Sequence, residues 1–175
     1  MTQPDKLSFH DALWKFIKDI RFAMLTHRHA DGSLHAHPLT TQNRSLKPGE
    51  PLCFFVSRAT EVGQRLRADG NVNLAYCDLK EDVWVSITGR ASVNEDLAKK
   101  KQLFNALAKA WFPGGAEDPD LELVEVEIVD AEYWNVKESK ATQLLKMAGA
   151  AVSGRKPEMG IHREMGQPEQ ETAGH

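Results

Sequence analysis

The spacing of apolar residues changes several times along the chain, and each change predicts a new element. Phe9, Leu13, Phe16, Ile17 and Ile20 recur at helical intervals behind Ser8, a side chain suited to a helix start, which predicts an amphipathic helix over 8–19. Residues 21–26 read as a strand, and Asp31-Gly32 offers a tight turn into a second strand over 34–42. Lys47-Pro48-Gly49 breaks the chain before LCFFVS at 52–57, a continuous apolar run of strand length. Thr60 then caps a short helix that ends at Gly70.

Two alternating segments follow. Val72, Leu74 and Tyr76 share one strand face, and Val83, Val85 and Ile87 oppose Trp84, Ser86 and Thr88 in the next. From Asn94 the period becomes helical again through Leu97, Phe104, Leu107 and Trp111, until Pro113-Gly114-Gly115 stops it. A last strand over 121–134 carries Val124, Val126 and Ile128 inward and Glu125 and Glu127 outward. These six strands are joined by spacers mostly too short for parallel crossovers, which predicts a mainly β domain, a small antiparallel barrel with flanking helices. The barrel domain is expected over 1–145, and 146–175, rich in Gly, Pro, Glu and Gln without period, is expected to be a disordered tail.

Composition changes this picture little. A chain of 175 residues with 41% hydrophobic and 27% charged residues suits one soluble domain with its own core. The net charge of −3 gives no reason to expect a nucleic-acid partner, and no apolar run is long enough to span a membrane. A cytoplasmic location is the default expectation. Cys53 and Cys77 both sit in apolar strands and read as small buried hydrophobes.

Three groups of residues have chemical potential. His27, His29, His35 and His37 lie within eleven residues, as two HxH pairs. A two-residue turn at Asp31-Gly32 puts the pairs on opposite faces, whereas a three-residue loop puts all four on one. The alternatives are a transition-metal site and a surface hairpin that is merely rich in histidine; the second is adopted, with no metal expected. Arg58, Arg65 and Arg67 bracket the helix start at Ser57 and Thr60, which is either an anion site or a solvated basic face. Trp84, Trp111, Phe112, Tyr133 and Trp134 either fill the core or wall a slot for a flat ring.

The succession FFVSRATEV, LRADGNVNLAYCD, VWVSITGRASV and AKAWFPGGAEDPDLELVEVEIVDAEYWNV resembles the general stress protein 26 branch of the pyridoxamine 5′-phosphate oxidase-like family of FMN-binding split β-barrels, over residues 8–138. AWFPGG, DPDL and AEYW carry the likeness to the branch. The resemblance implies a six-stranded split barrel that forms a homodimer, with flavin sites at the interface holding FMN, or FAD in its place.

Residue by residue, the resemblance puts His37 where the family has a phosphate-binding arginine and Gln42 where it has a lysine. Phe55, Val56, Ser57, Arg58 and Thr60 fall in a second flavin-contact motif, with Val56 replacing a threonine and Val62 a lysine. Trp84 takes the place of a glutamine, Trp134 matches a tryptophan that approaches the flavin from the partner subunit, and Trp111 with Phe112 is expected at the ligand slot or the dimer seam. Loss of the cations leaves Arg58, His37 and the helix start at Thr60 to hold a phosphate. The substrate motif of the oxidase itself is replaced by NVKESKATQ at 135–143, so that reaction is not expected. The implied function is a stress-associated flavoprotein with redox activity on a small substrate and no assigned catalytic side chain. The alternative is a cofactor-free dimer on the same scaffold, or one binding haem or a deazaflavin.

Overall fold

The computed structural model describes residues 9–135 and 161–165. Helix α1 (Phe9–Ile17) leads into strands β1 (Phe22–Arg28), β2 (Leu34–Thr40) and β3 (Leu52–Ser57). Helix α2 (Glu61–Ala68) precedes β4 (Asn71–Asp78) and β5 (Val83–Asn94). Two short helices, α3 (Leu97–Leu103) and α4 (Ala106–Trp111), then lead to β6 (Leu121–Asn135), and β7 (Ile161–Met165) is the last described element.

The strands form one antiparallel sheet in the order β2-β1-β4-β5-β6-β3, with β7 also paired to β6. A bridge between Thr41 and Phe54, with Gln42 N–H donating to Cys53 O at 2.8 Å, draws β2 toward β3 and curls the sheet into a half-barrel. Inward residues of alternating strands fill it: Ala23 and Leu25, Val72 and Leu74, Val85 and Ile87, Val124 and Val126. Leu13 and Ile17 of α1 join this core one helical turn apart. Each of the valine, leucine and isoleucine side chains contributes about 1.5–3 kcal/mol by leaving water. The buried Tyr76 hydroxyl shares a hydrogen bond of 2.7 Å with Thr41 and so satisfies its polar end.

β3 is apolar throughout because both its faces are covered. Leu52, Phe54 and Val56 face the barrel, while Cys53 and Phe55 join a second core beneath α4 with Ala108, Phe112, Leu121 and Leu123. In β6 the alternation shifts phase. Thr88 pairs with Asp130 and Gly89 with Ile128, which leaves Val129 unpaired and exposed in a bulge. Val124 and Val126 face inward before the bulge, Ala131 after it. A Cβ at Gly89 would meet the Val126 side chain at 2.4 Å, so the bulge requires glycine.

Four expectations are corrected. The helix expected from Asn94 to Trp111 is two: Phe104 leaves the helical region, and Asn105 restarts it by accepting from Leu107 and Ala108 N–H, each at 3.0 Å. The buried face of α4 therefore carries Ala108 and Phe112, and Leu107 and Trp111 point outward. Cys77 is exposed, since it lies on the face of β4 opposite Tyr76. Within the expected tail, 161–165 forms β7 along the part of the β6 edge that β3 leaves uncovered, an edge otherwise open to unwanted pairing. The rest of that tail and the boundary at 145 lie outside the described residues.

Candidate functional site

The residues singled out by sequence fall in four places. On the outer face of the sheet, Trp84 of β5 is the direct cross-strand partner of Trp134 of β6. Each residue keeps 36% of its surface exposed, too much for a core position. Phe22, Met24 and Leu34 extend the apolar surface across β1 and β2, since they share this face by strand alternation. Adjacent aromatic rings with exposed apolar neighbours offer a platform for a planar ligand or a protein partner.

The second place is the corner between β3 and α2. Thr60 Oγ1 accepts from Gly63 N–H at 3.4 Å and donates to Ser57 O at 2.7 Å, which ties the helix start to the strand end. A Cβ at Gly63 would stand 2.4 Å from Ser57 O, so only glycine permits this close approach. The three arginines expected here are held within the fold, two of them by one buried carboxylate. Arg58 Nε donates to Glu122 Oε1 at 2.8 Å, and Arg67 donates to the same oxygen from Nε at 2.7 Å and from a second nitrogen. Arg65 Nε donates to Arg28 O at 3.1 Å. Asp120 accepts from Ala59 N–H at 3.0 Å, and the Ser57 hydroxyl followed by that N–H holds its carboxyl below the usual range. Arg58 and Arg67 thus belong to an internal charge network, and Arg65 is held by a backbone carbonyl. Val56 faces the barrel core and Phe55 packs in the second core, 6.1 Å from the Phe104 ring.

Gln42 marks the third place. It is buried, with its amide donating to Thr40 O at 3.0 Å and accepting from Asn105 Nδ2 at 2.8 Å. It lines a cleft of about 400 Å³ with Trp14, Asn105 and three cations, Lys18, Arg21 and Arg44. Arg21 is held at φ 58, left-handed backbone that costs a non-glycine residue about 1–3 kcal/mol. Its carbonyl accepts from Thr41 N–H at 2.7 Å, which anchors it to the end of β2. Sequence reasoning missed these three cations because they are isolated along the chain and meet only when α1 closes on the 41–44 loop.

The histidines form the fourth. His29 N–H donates to Ser33 O at 2.8 Å and Gly32 N–H to His29 O at 3.0 Å, with Gly32 at φ 89, so the hairpin has a three-residue loop. His27 therefore pairs with His35 and Leu25 with His37, and all four imidazoles share one face. His37 stacks on His27 at 5.1 Å and His29 on His35 at 4.5 Å. His27 is 1% exposed with neither ring nitrogen hydrogen-bonded among the described residues, and burial lowers its pKa. Trp111 stands apart from all four places, 78% exposed at the end of α4.

Comparison with known proteins agrees with this architecture. The family model described as pyridoxamine 5′-phosphate oxidase like matches residues 9–158. A general stress FMN/FAD binding protein from Xanthomonas citri shares 30% identity over 78% of this chain and 93% of its own, with a TM-score of 0.64. A general stress family protein from Xanthomonas campestris pv. campestris shares 31% identity over 79% of this chain and 93% of its own, with a TM-score of 0.65. General stress protein 26 of Bacillus subtilis is 28% identical over 91 residues, 50% of this chain and 64% of that protein. With its half-barrel and a match over most of its length, the chain belongs to the pyridoxamine 5′-phosphate oxidase-like family, in the general stress protein 26 branch.

Proposed function

We propose that this protein is a flavin-binding general stress protein that holds FMN, or FAD in its place, at the interface of a homodimer. The observation that carries the reading is the Trp84–Trp134 pair, two partly exposed aromatic residues side by side on a sheet face to which Phe22 and Met24 add exposed apolar surface. Such a face both seats an isoalloxazine ring and buries well against a second copy of itself. The related Xanthomonas citri protein, described as FMN/FAD binding, supports the choice of ligand. At the phosphate end, Lys18, Arg21 and Arg44 around Gln42 supply the charge that the resemblance expects from a lysine at position 42. His37 is less suited to that role, since its ring stacks within the histidine row.

A bound flavin supplies one- and two-electron redox chemistry, and the protein's part is to bind, orient and exclude water. The proposed activity is reduction or oxidation of a small substrate in the cytoplasm. A second reading, a cofactor-free dimer, is favoured by one observation: Arg58, which the motif places near a phosphate, is engaged by Glu122. Titration with FMN and FAD, followed by flavin fluorescence quenching, separates the two. Saturable uptake at one flavin per chain is expected, and a chain that takes up neither is the cofactor-free scaffold. Light scattering is expected to give a dimer; a strict monomer would leave the shared interface site without a basis.

A further inference from the structure

The three-residue hairpin loop does more than align four histidines. It brings His29 and His35 against Glu61, the first residue of α2. His29 Nε2 lies 3.1 Å and His35 Nδ1 3.3 Å from the same oxygen, Glu61 Oε1. The three donor atoms all lie within 4.8 Å of one another.

The outer nitrogens of the two rings face Asp31 and Ser33, which are hydrogen-bonded to each other. Asp31 Oδ1 stands 3.3 Å from His29 Nδ1 and accepts from the Ser33 hydroxyl at 2.6 Å. That hydroxyl has one proton and gives it to Asp31, so Ser33 Oγ, 3.3 Å from His35 Nε2, must accept from that nitrogen. A proton on Nε2 leaves a lone pair on His35 Nδ1, aimed at the carboxylate. His29 Nδ1 makes no hydrogen bond among the described residues, and the ring turns its Nε2 toward Glu61. Glu61 Oε1 accepts no hydrogen bond among the described residues, so it faces both imidazoles without a shared proton.

We propose that His29, His35 and Glu61 bind a divalent first-row transition ion of the zinc type, with Asp31 and Ser33 orienting the two imidazoles from behind. The spacing fits. Donors about 2.0–2.1 Å from a tetrahedral zinc stand about 3.3 Å from each other, close to the two separations between the imidazoles and Glu61. Imidazole with carboxylate suits zinc and its neighbours better than calcium or magnesium. A carboxylate behind a ligating histidine is the usual device that sets its tautomer and strengthens it as a ligand. Three protein donors leave a coordination position for solvent or a small ligand. The site is independent of the flavin reading, because none of its three ligands is needed to hold a flavin.

The test uses full-length protein without an affinity tag, stripped with EDTA and titrated with Zn²⁺ by calorimetry and with Co²⁺ by visible absorption. One ion per chain is expected, with Co²⁺ bands of a low-coordinate nitrogen and oxygen site. Glu61→Gln and His35→Ala are expected to weaken Zn²⁺ at least tenfold, and Ser33→Ala about tenfold by releasing the His35 ring. All three side chains are partly exposed, so the variants should keep the wild-type circular dichroism. Absence of stoichiometric binding, or binding that persists in a folded His29→Ala/His35→Ala double variant, overturns the proposal.

Discussion

Arg58 Nε donates to Glu122 Oε1 at 2.8 Å, joining the end of β3 to a carboxylate on β6 that is 0% exposed. Arg67 from α2 reaches the same oxygen. A buried carboxylate without a cation is costly, whereas an arginine freed at the surface returns to water. The two directions of mutation therefore differ. Removal of both cations by Arg58→Ala with Arg67→Ala is expected to cost about 3–5 kcal/mol in urea unfolding, more than the sum of the single changes, since either arginine alone still serves Glu122. Glu122→Gln is expected to cost less, about 1–3 kcal/mol.

Trp84 and Trp134 are expected to separate ligand binding from stability. Either tryptophan changed to alanine removes an aromatic platform and should weaken FMN at least tenfold, about 1.4 kcal/mol. Both rings are half-exposed in the single chain, so the secondary structure should be retained. Flavin titration beside circular dichroism checks this; equal FMN affinity in a folded Trp84→Ala/Trp134→Ala variant would move the ring site elsewhere.

Adjacent residues at the end of α4 should behave oppositely. Phe112 is 7% exposed in the second core with Phe55 and Leu121, so Phe112→Ala is expected to cost about 3–5 kcal/mol. Trp111→Ala should change the stability of the chain by no more than about 0.5 kcal/mol. Any loss of dimer or flavin in Trp111→Ala would then report an interface role for that ring. Thermal melts and light scattering read the two effects.

The two thiols are distinguished by burial. Ellman's reagent is expected to label Cys77 in the folded protein and Cys53 only on unfolding. Burial raises the Cys53 pKa from 9.0 to about 11, so above pH 9 the unfolded chain loses this proton first. The stability Cys53 contributes is therefore full below about pH 9 and falls as the pH rises toward 11. Tyr76, whose pKa burial also raises, acts in the same sense, so Cys53→Ala should reduce the alkaline slope of urea stability without abolishing it.

Much of the fold is legible because strand and helix periods are local. The alternation of Val72, Leu74 and Tyr76, the double-sided apolar run of β3 and the cap at Thr60 each state their environment in a few residues, and the structure agrees. Trp134 and Trp84 are legible one at a time through family motifs, but their pairing depends on the register of β5 with β6. The break at Asn105 is less visible, since the apolar spacing runs through it and only the capping side chain interrupts the helix.

The sequence by itself determined which residues can form strands, where the chain turns, and that four histidines and a set of arginines lie close along the chain. Only the tertiary structure decided what these groups face. Hairpin loop length chose one face for the histidines and set two of them against Glu61. A buried glutamate, distant in sequence, engaged two arginines that looked free to bind an anion. Closure of α1 onto the 41–44 loop gathered three other cations around Gln42. The physical reason is the same in each case: burial and periodicity act over a few residues, whereas charge pairing and ligand geometry depend on which distant segments the folded sheet brings together.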